Sequence, residues 1–219
     1  MTLTTVLRPS ALAGHYAAVL LDLDGTLVDS RESVDRAWRV WCERYEVQLA
    51  EIEGLLHGRT ASDLVRLIRP HWSERRVAEA ARFQLLVQEE DPEPGTAVPG
   101  AGALLGALGN WAVVTACSRR LAAHRLRSAG LPVPPVLVCA EDVRRGKPHP
   151  ESYELGAARL GVRAADCLVV EDAPSGVRAG RAAGCAVAAV PVTHAAGALG
   201  EATAVVESLA ELAVVRSAA

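Results

Sequence analysis

Acidic side chains stand at the ends of two apolar segments, where they could bind a cation or attack an electrophile. Asp22 and Asp24 follow the apolar run that starts at Ala17, and Glu171 and Asp172 follow another. The spacing Asp-x-Asp puts two side chains on the same side of an extended backbone. Two carboxylates about 4 Å apart repel by a few kcal/mol at an effective dielectric of about 20. Four of them gathered at one place would therefore require a cation.

Oxygen ligands of this kind favour Mg²⁺, which binds carboxylates, waters and a substrate phosphate oxygen. Such a set could hydrolyse a phosphate monoester, a reaction so slow in water that positioning alone would be insufficient. One carboxylate could attack phosphorus and form an aspartyl phosphate. A second could protonate the leaving oxygen and later deprotonate water. The metal ion and a lysine could neutralise charge on the transferred group.

A lysine and a hydroxyl extend this set of candidate residues. Lys147 is the single lysine among 23 basic residues, the others being arginine, which indicates a role that arginine cannot fill. It follows one apolar run, and Thr115 closes another. Taken alone, Thr115 could equally be a helix N-cap, and Glu171 with Asp172 could cap a following helix. The order and location of all these residues together favour the catalytic interpretation.

Five short apolar runs alternate with helical patterns, which predicts parallel strands joined by helices. The runs are residues 17–23, 111–115, 136–139, 167–170 and 186–190. The helical patterns begin after Ser118, which is a candidate N-cap, near Pro150 and near Pro174, and each stops at a glycine. We therefore expect an α/β fold with a doubly wound parallel sheet of five to six strands. Ligands bind beyond the carboxyl ends of such strands, so the candidate residues should meet at one edge.

The segment of residues 29–98 interrupts this alternation. Apolar and aromatic side chains recur there at helical spacing, and we find no convincing strand pattern. They are Trp38, Trp41, Tyr45, Leu64, Leu67, Ile68, Val77, Ala81 and Leu85. Thr60 and Asp63 resemble a capping box at the start of the middle helix. We predict an α/β core domain from residues 1–28 and 99–219, with residues 29–98 as a helical insertion.

The composition excludes several classes of protein. Half of the 219 residues are hydrophobic, enough for a sizeable core, and the net charge of −3 comes without a basic stripe. Nucleic acid is therefore not an expected partner. The sequence has neither an apolar run of membrane-spanning length nor a signal-peptide pattern, and its five cysteines are scattered. We expect a cytoplasmic protein with no membrane partner, present as a monomer or a weak dimer.

In their order along the chain, these residues resemble the four sequence motifs of the haloacid dehalogenase superfamily, and the likeness covers nearly the whole chain. The run Asp22-Leu23-Asp24-Gly25-Thr26 matches the first motif, and Thr115 matches the second. Lys147 matches the third, and Glu171-Asp172 matches the fourth. The helical insertion resembles the C1 cap of that superfamily. The resemblance implies a Rossmannoid core and a phosphatase of the sugar phosphate type.

The resemblance also implies roles for the acidic residues. Asp22 would be the nucleophile and a metal ligand. Asp24 would be the general acid/base, with its backbone carbonyl on Mg²⁺. Asp172 would ligate the metal, with Glu171 beside it in the same site. Members that dehalogenate lack a second carboxylate at the position of Asp24, so an acid there favours a leaving alkoxide that needs a proton.

The remaining motif residues are implied to hold the phosphate. Thr115 and the amide of Ala116 would bind it, and Lys147 would contact both the phosphate and the nucleophile. The pair Ala116-Cys117 departs from the family pattern, because related phosphatases usually carry small polar residues and glycine there. This departure changes side chains beside the phosphate loop but leaves its backbone amides available.

Residues 146–151 and 170–176 resemble a narrower group within the superfamily. That group holds bacterial sugar and hexitol phosphatases and yeast-type glycerol-3-phosphate and 2-deoxyglucose-6-phosphate phosphatases. The sequence His57-Gly58-Arg59-Thr60 also resembles theirs, in a cap loop that faces the active site in such enzymes. His57 could bond a substrate hydroxyl and Arg59 could reach the phosphate or sugar, although both could equally lie on a solvated loop. The implied partner is a small phosphorylated sugar or polyol.

Two other functions remain open at this point. A β-phosphoglucomutase-like isomerase resembles the chain in motifs and cap type, but those mutases grip the substrate with a cap lysine. The insertion contains no lysine, which also argues against a phosphonoacetaldehyde hydrolase. A phosphate-sensing protein without turnover would usually have lost Asp22 or Asp24, and both are present.

Overall fold

A computed structural model describes residues 2–52, 55 and 60–218. Contacts within the chain divide it into two compact units, Met1–Asp29 with Thr96–Ala219 and Ser30–Gly95. We call them the α/β unit and the helical unit. The predicted assignment of residues 1–28 with 99–219 to a core domain and of residues 29–98 to a cap stays a prediction.

The strands found among the described residues are short, and all of them belong to the α/β unit. They are β1 (Thr2–Arg8), β2 (Gly14–Tyr16), β3 (Ala18–Leu21), β4 (Val28–Asp29), β5 (Thr96–Ala97), β6 (Trp111–Val114), β7 (Leu137–Val138), β8 (Cys167–Glu171), β9 (Ala186–Ala189), β10 (Ala204–Val205) and β11 (Ala213–Ala218). Six of them form one sheet in the order β10-β9-β8-β3-β6-β7, and every neighbouring pair is parallel. The predicted fold class is confirmed.

The helices also follow the predicted alternation. They are α1 (Arg31–Tyr45), α2 (Ala61–Ile68), α3 (Glu74–Glu89), α4 (Ala101–Ala107), α5 (Arg119–Ser128), α6 (Glu151–Arg159) and α7 (Pro174–Ala182). The N-cap of α5 is Ser118, whose hydroxyl accepts from the amide of Leu121, as predicted. After α5 the chain turns at Gly130 with a positive φ.

Small side chains let helices lie close to the sheet. All four residues of β3 and all five of β8 are buried, because a central parallel strand is covered on both faces. The helix α6 packs on β3 and β6, and a methyl group added at Gly156 would come within 3.0 Å of Val114. The helix α7 packs on β8 and β9. The core is therefore made of alanine, valine and leucine, with Tyr153 among its largest fully buried side chains.

The helical unit contains α1, α2 and α3, each amphipathic. Trp38 and Trp41 of α1 are buried against apolar residues of α2 and α3, and Tyr45 packs on Trp41 with ring centroids 4.7 Å apart. These aromatic side chains are therefore packing residues of this unit. The amide of Asp63 donates to the hydroxyl of Thr60, which confirms the predicted N-terminus of the middle helix.

Two antiparallel sheets were not expected from the sequence. β1 pairs with β2 and with β11 in a three-stranded sheet, so the two ends of the described chain lie side by side. β4 pairs with β5, which corrects the view that residues 29–98 contain no strand. The β1–β11 and β4–β5 pairings join segments far apart in sequence, for which no local pattern exists.

The five cysteines are buried free thiols, in agreement with their scattered positions. Among the described residues, none of the helices combines the length and the apolar character that a membrane crossing requires.

Candidate active site

The carboxyl ends of the central strands bring the candidate residues together. β3 lies between β8 and β6, and the amide of Asp22 donates to the carbonyl of Val170 at 3.0 Å. Asp22 therefore leaves the sheet beside Glu171, the last residue of β8, and Asp172, which follows it. One oxygen from each of these three carboxylates lies within 4.8 Å of the others. The three residues are buried and could hold a metal ion.

Glycines leave space for two of these carboxylates. Gly25 has a φ of 82°, which only glycine adopts readily. A Cβ at Gly25 would collide with the carboxylate of Asp172 and the methyl group of Thr193. A Cβ at Gly176, in the first turn of α7, would collide with the carboxylate of Glu171. Gly25 of the first motif and Gly176 at the start of α7 are thus required by the acidic site itself.

Lys147 joins two of the three carboxylates. Its Nζ donates to Asp22 Oδ1 at 2.6 Å, to Glu171 Oε1 at 2.7 Å and to the carbonyl of Val114 at 3.1 Å. Burial alone would lower the pKa of Lys147, but the charges of Asp22 and Glu171 outweigh it and raise that pKa well above its usual value. Lys147 is therefore a fixed positive charge beside the proposed nucleophile.

The acidic residues are held at an electrostatic cost. Burial raises the pKa of Asp22 from 3.8 to about 7, although the charge of Lys147 acts in the opposite direction. Burial, followed by the charges of Asp22 and Glu171, raises the pKa of Asp172 well above its usual value. Ionising either carboxyl is therefore less favourable here than in water, and a further positive charge in the site would reduce this cost. A divalent cation supplies that charge, so the donor set fits a metal ion.

Glu171 is surrounded by hydrogen-bond donors. Its Oε1 accepts from Lys147 and from the hydroxyl of Tyr153 at 2.8 Å, and its Oε2 accepts from the amides of Asp172 and Ala173. A carboxylate offers about four lone-pair positions, and four donors occupy them. Glu171 thus fixes Lys147 at the border of the acidic cluster. Tyr153 was missed by sequence analysis, because an aromatic residue on a helix facing the sheet is usually only packing.

Asp24 is oriented differently from the other three acids. Arg125 Nη1 donates to its Oδ1, and the thiol of Cys117 donates to its Oδ2 at 2.7 Å. The structure therefore gathers three of the four predicted carboxylates at one point, and Arg125 with Cys117 binds the fourth. Burial and the charge of Asp24 raise the pKa of Cys117 well above its usual value, so this thiol stays neutral and can donate.

Thr115 and Ala116 begin the loop between β6 and α5. Thr115 is buried, its amide donates to Val138 at 2.9 Å, and its hydroxyl accepts from the amide of Cys117 at 3.1 Å. Ala116 is exposed. The two residues lie directly after the strand that neighbours β3, where the first and second motifs are expected to meet. Their phosphate-binding role stays a prediction, and His57 and Arg59 lie outside the described residues.

Arg125 and Thr193 were not found by sequence reasoning. Arg125 occupies a position on the apolar face of α5, between Ala122 and Leu126, and a charge at such a position is the signal that could have revealed it. The hydroxyl of Thr193, in the loop after β9, donates to Asp172 Oδ2. Nothing in the local sequence of that loop marks the contact.

The strand order, the inserted helices and the acidic strand ends together define a class of hydrolases. The family model of the haloacid dehalogenase-like hydrolases matches residues 16–184, and the chain belongs to this family. The resemblance stated from the motifs is thereby confirmed.

Curated relatives extend over most of the chain. Hexitol phosphatase A of Escherichia coli is 43% identical over 203 residues, which are 90% of this chain and 93% of that protein. Glycerol-1-phosphate phosphohydrolase 2 of Saccharomyces cerevisiae is 31% identical over 206 residues, which are 88% of this chain and 80% of that protein. A hydrolase of Pseudomonas syringae has a similar crystal structure, with a TM-score of 0.79 at 22% identity over 89% of this chain and 95% of that one. At this identity the structural likeness supports the fold alone.

Proposed function

We propose that this protein is a Mg²⁺-dependent phosphatase that hydrolyses a small sugar or polyol phosphate through an aspartyl phosphate on Asp22. The observation that carries the proposal is the buried cluster of Asp22, Glu171 and Asp172, with Lys147 Nζ 2.6 Å from Asp22 Oδ1. Transfer of a phosphoryl group to an aspartate requires a nucleophilic carboxylate, a fixed cation and a set of oxygen ligands for a metal ion.

Asp22 is the attacking group in the first half of the reaction. Lys147 fixes its Oδ1, so the other oxygen, Oδ2, is the one we assign to the attack on phosphorus. Lys147 also lies where it can neutralise charge on the transferred phosphoryl group. Thr115 and the amide of Ala116, at the end of the neighbouring strand, bind the phosphate oxygens. This step requires Asp24 in its protonated form, and Asp24 gives that proton to the bridging oxygen as the bond from phosphorus to the alcohol breaks.

Asp24 then acts as a base in the second half. It takes a proton from a water molecule whose oxygen attacks phosphorus, while the bond from Asp22 to phosphorus breaks. Free phosphate leaves, and both aspartates return to their initial states. The side chain of Asp24 is partly exposed, unlike those of Asp22 and Asp172, which suits a group that exchanges protons with an alcohol and with water.

Asp22 and Asp172 would hold the metal ion through carboxylate oxygens, and Asp24 through its backbone carbonyl. Glu171 already accepts hydrogen bonds on both of its oxygens, so we place it at the border of the metal site. When bound, Mg²⁺ supplies Lewis acidity and neutralises phosphate charge. Oxygen ligands favour this ion over zinc or copper, which bind nitrogen and sulfur ligands more readily.

The substrate class is supported by the curated relatives. One is named a hexitol phosphatase and another a glycerol-1-phosphate phosphohydrolase, and both act on a phosphate ester of a polyol. The loop that would contact the sugar includes His57 and Arg59, whose roles stay predictions. We therefore propose the class of small phosphorylated sugars and polyols rather than one compound.

A substrate panel tests this proposal. Release of free phosphate should be measured from hexitol, hexose and glycerol phosphates, with Mg²⁺ and again with EDTA. Steady release that stops with EDTA and resumes when Mg²⁺ is restored is the expected result. Isomerisation of glucose 1-phosphate without release would instead identify a mutase. Absence of turnover on the whole panel would identify a phosphate-binding protein and overturn the proposal.

A further inference from the structure

Asp24 is bound on both carboxylate oxygens by side chains that follow β6. Arg125 Nη1 donates to Oδ1, and Cys117 Sγ donates to Oδ2 at 2.7 Å. Arg125 Nη1 also lies 3.0 Å from Cys117 Sγ, so the three side chains form one closed group. Because each oxygen has its own donor, rotation of the carboxylate about its Cβ–Cγ bond is restricted.

The position of Arg125 is costly unless the side chain has a function. Only 1% of it is exposed, whereas the side chain of Asp24 is 28% exposed. Arg125 shares a face of α5 with Leu121, Ala122 and Leu126, all of which are buried. An apolar residue at this position would fill the space without bringing a charge into the interior. The ion pair with Asp24 accounts for the charge, and it points toward the acidic edge of the sheet.

We propose that Arg125, with Cys117, is a positioning residue that orients the carboxylate of Asp24 for proton transfer. The inference rests on the proposed function and names residues that the motifs do not contain. It also gives a role to the Ala116-Cys117 departure from the family pattern, because a thiol at this position can donate to Asp24 and also accept from Arg125.

Orientation of Asp24 matters most for a poor leaving group. In the first half-reaction, a bond forms between Asp22 and phosphorus, the bond from phosphorus to the leaving oxygen breaks, and the proton of Asp24 passes to that oxygen. An alkoxide cannot leave without this proton, whereas 4-nitrophenolate can. Loss of orientation should therefore slow alkyl phosphates selectively. General disturbance of the site would slow both kinds of ester.

The test compares kcat/KM for a hexitol phosphate and for 4-nitrophenyl phosphate, because kcat/KM reports the steps up to phosphoryl transfer. Arg125→Met removes the guanidinium and keeps much of the length of the side chain. We expect the alkyl-to-aryl ratio of kcat/KM to fall at least about tenfold, within the range of general acid catalysis. Cys117→Ala should change the ratio in the same direction by a smaller factor, and Arg125→Lys should recover part of the loss.

Two reference variants calibrate this experiment. Asp24→Asn removes the acid itself and should lower the ratio furthest. Arg127→Met makes the same chemical change at an exposed position of the same helix and should leave the ratio unchanged. Circular dichroism and the midpoint of thermal unfolding, Tm, report whether each variant is folded.

An equal loss on both esters, or no loss on either, would overturn the positioning role. If Arg125→Met does not fold, Arg125→Lys and Cys117→Ala decide the question by the same ratio. Wild-type protein without activity on either ester would refute the proposed function instead. A wild-type enzyme that is active while Arg125→Met leaves the ratio unchanged would refute only this inference.

Discussion

Two ion-pair clusters of this protein each join one basic side chain to an aspartate and a glutamate, but their surroundings are opposite. In the α/β unit, Lys147 lies between Asp22 and Glu171, with N–O distances of 2.6 and 2.7 Å. In the helical unit, Arg66 lies between Asp63 and Glu74, at 3.2 and 2.8 Å. The side chains of the first cluster are 9%, 10% and 1% exposed, and those of the second are 47%, 57% and 76% exposed.

The surroundings decide what each cluster can do. Water solvates and screens the charges around Arg66, so that cluster contributes little to stability. Around Lys147 the charges are desolvated, which strengthens every electrostatic interaction but also makes Asp22 costly to ionise. Geometry alone would not distinguish the two clusters. Burial at the carboxyl edge of the sheet is what makes the first one a candidate for catalysis.

Replacing the nucleophile should have the largest effect. Asp22→Asn keeps the shape of the side chain, but an amide cannot attack phosphorus, so kcat should fall at least about 10⁴-fold. Phosphate release from a hexitol phosphate measures it, and the variant should remain folded by circular dichroism. Asp63→Asn, the same change in the exposed cluster, should keep kcat within about twofold. A normal rate in Asp22→Asn would show that another group attacks.

Removing the buried cation should have the next largest effect. Lys147→Met leaves Asp22 and Glu171 without their shared donor, and we expect kcat to fall about 10²–10³-fold. Lys147→Arg should restore little of this loss, since a planar guanidinium cannot replace a compact ammonium group that donates to three acceptors. Steady-state kinetics on a hexitol phosphate measure both variants. Full activity in Lys147→Arg would mean that any positive charge suffices at this position.

The cost of ionising the buried acids should appear in the pH dependence of stability. The pKa of Asp22 is raised from 3.8 to about 7 by burial, and that of Asp172 is shifted in the same direction. A raised pKa in the folded state gives stability that is complete below the unfolded value and is lost as the pH rises through the folded value. Without divalent ions, Tm should therefore be several degrees lower at pH 8 than at pH 5.

A metal ion should reverse this trend, because it binds the ionised carboxylates in place of protons. Mg²⁺ should raise Tm more at pH 8 than at pH 5, as measured by thermal unfolding with EDTA or with added Mg²⁺. Asp22→Asn should show a smaller dependence on both pH and Mg²⁺. An equal Mg²⁺ effect at the two pH values would contradict the assignment of these acids to the metal site.

Disrupting the exposed cluster should have the smallest effect. Arg66→Met removes the ion pairs with Asp63 and Glu74, and we expect Tm to change by less than about 2 °C and kcat by less than about twofold. Thermal unfolding at low and at high salt measures this. A loss of kcat as large as that of Lys147→Met would show that burial does not distinguish the two clusters.

The sequence predicted the parts of the fold that depend on local patterns. The apolar runs gave the central strands, and the rule that parallel strands end at one edge placed Asp22, Lys147 and Asp172 together. Ser118 and Thr60 were recognised as N-caps because a serine or threonine before a helix commonly accepts a hydrogen bond from an amide three residues later, as both do here. Such features depend only on residues that are close together in the sequence.

What the sequence did not predict depends on contacts between distant segments. The pairing of β1 with β11 joins the two ends of the chain, and neither strand carries a mark of its partner. The sequence marks Arg125 only as a charge on the apolar face of a helix, and its carboxylate partner lies 101 positions away. Arg125 and Cys117 bind Asp24 separately from the cluster of Asp22, Glu171 and Asp172. Contacts of this kind are found only when the fold is known.

The most direct test of the central claim is a search for phosphate on Asp22. Enzyme mixed with a hexitol phosphate and Mg²⁺ should be quenched rapidly in acid and digested, and the peptides should be analysed by mass spectrometry. In the wild-type enzyme we predict one added phosphoryl group on the peptide that contains Asp22. With 4-nitrophenyl phosphate as the substrate, Asp24→Asn should show a higher fraction of this phosphorylated peptide. Asp22→Asn should show none. The account would be contradicted if the wild-type enzyme turned over substrate while phosphate appeared on another residue. It would also be contradicted if neither the wild-type enzyme nor Asp24→Asn gave a phosphorylated peptide.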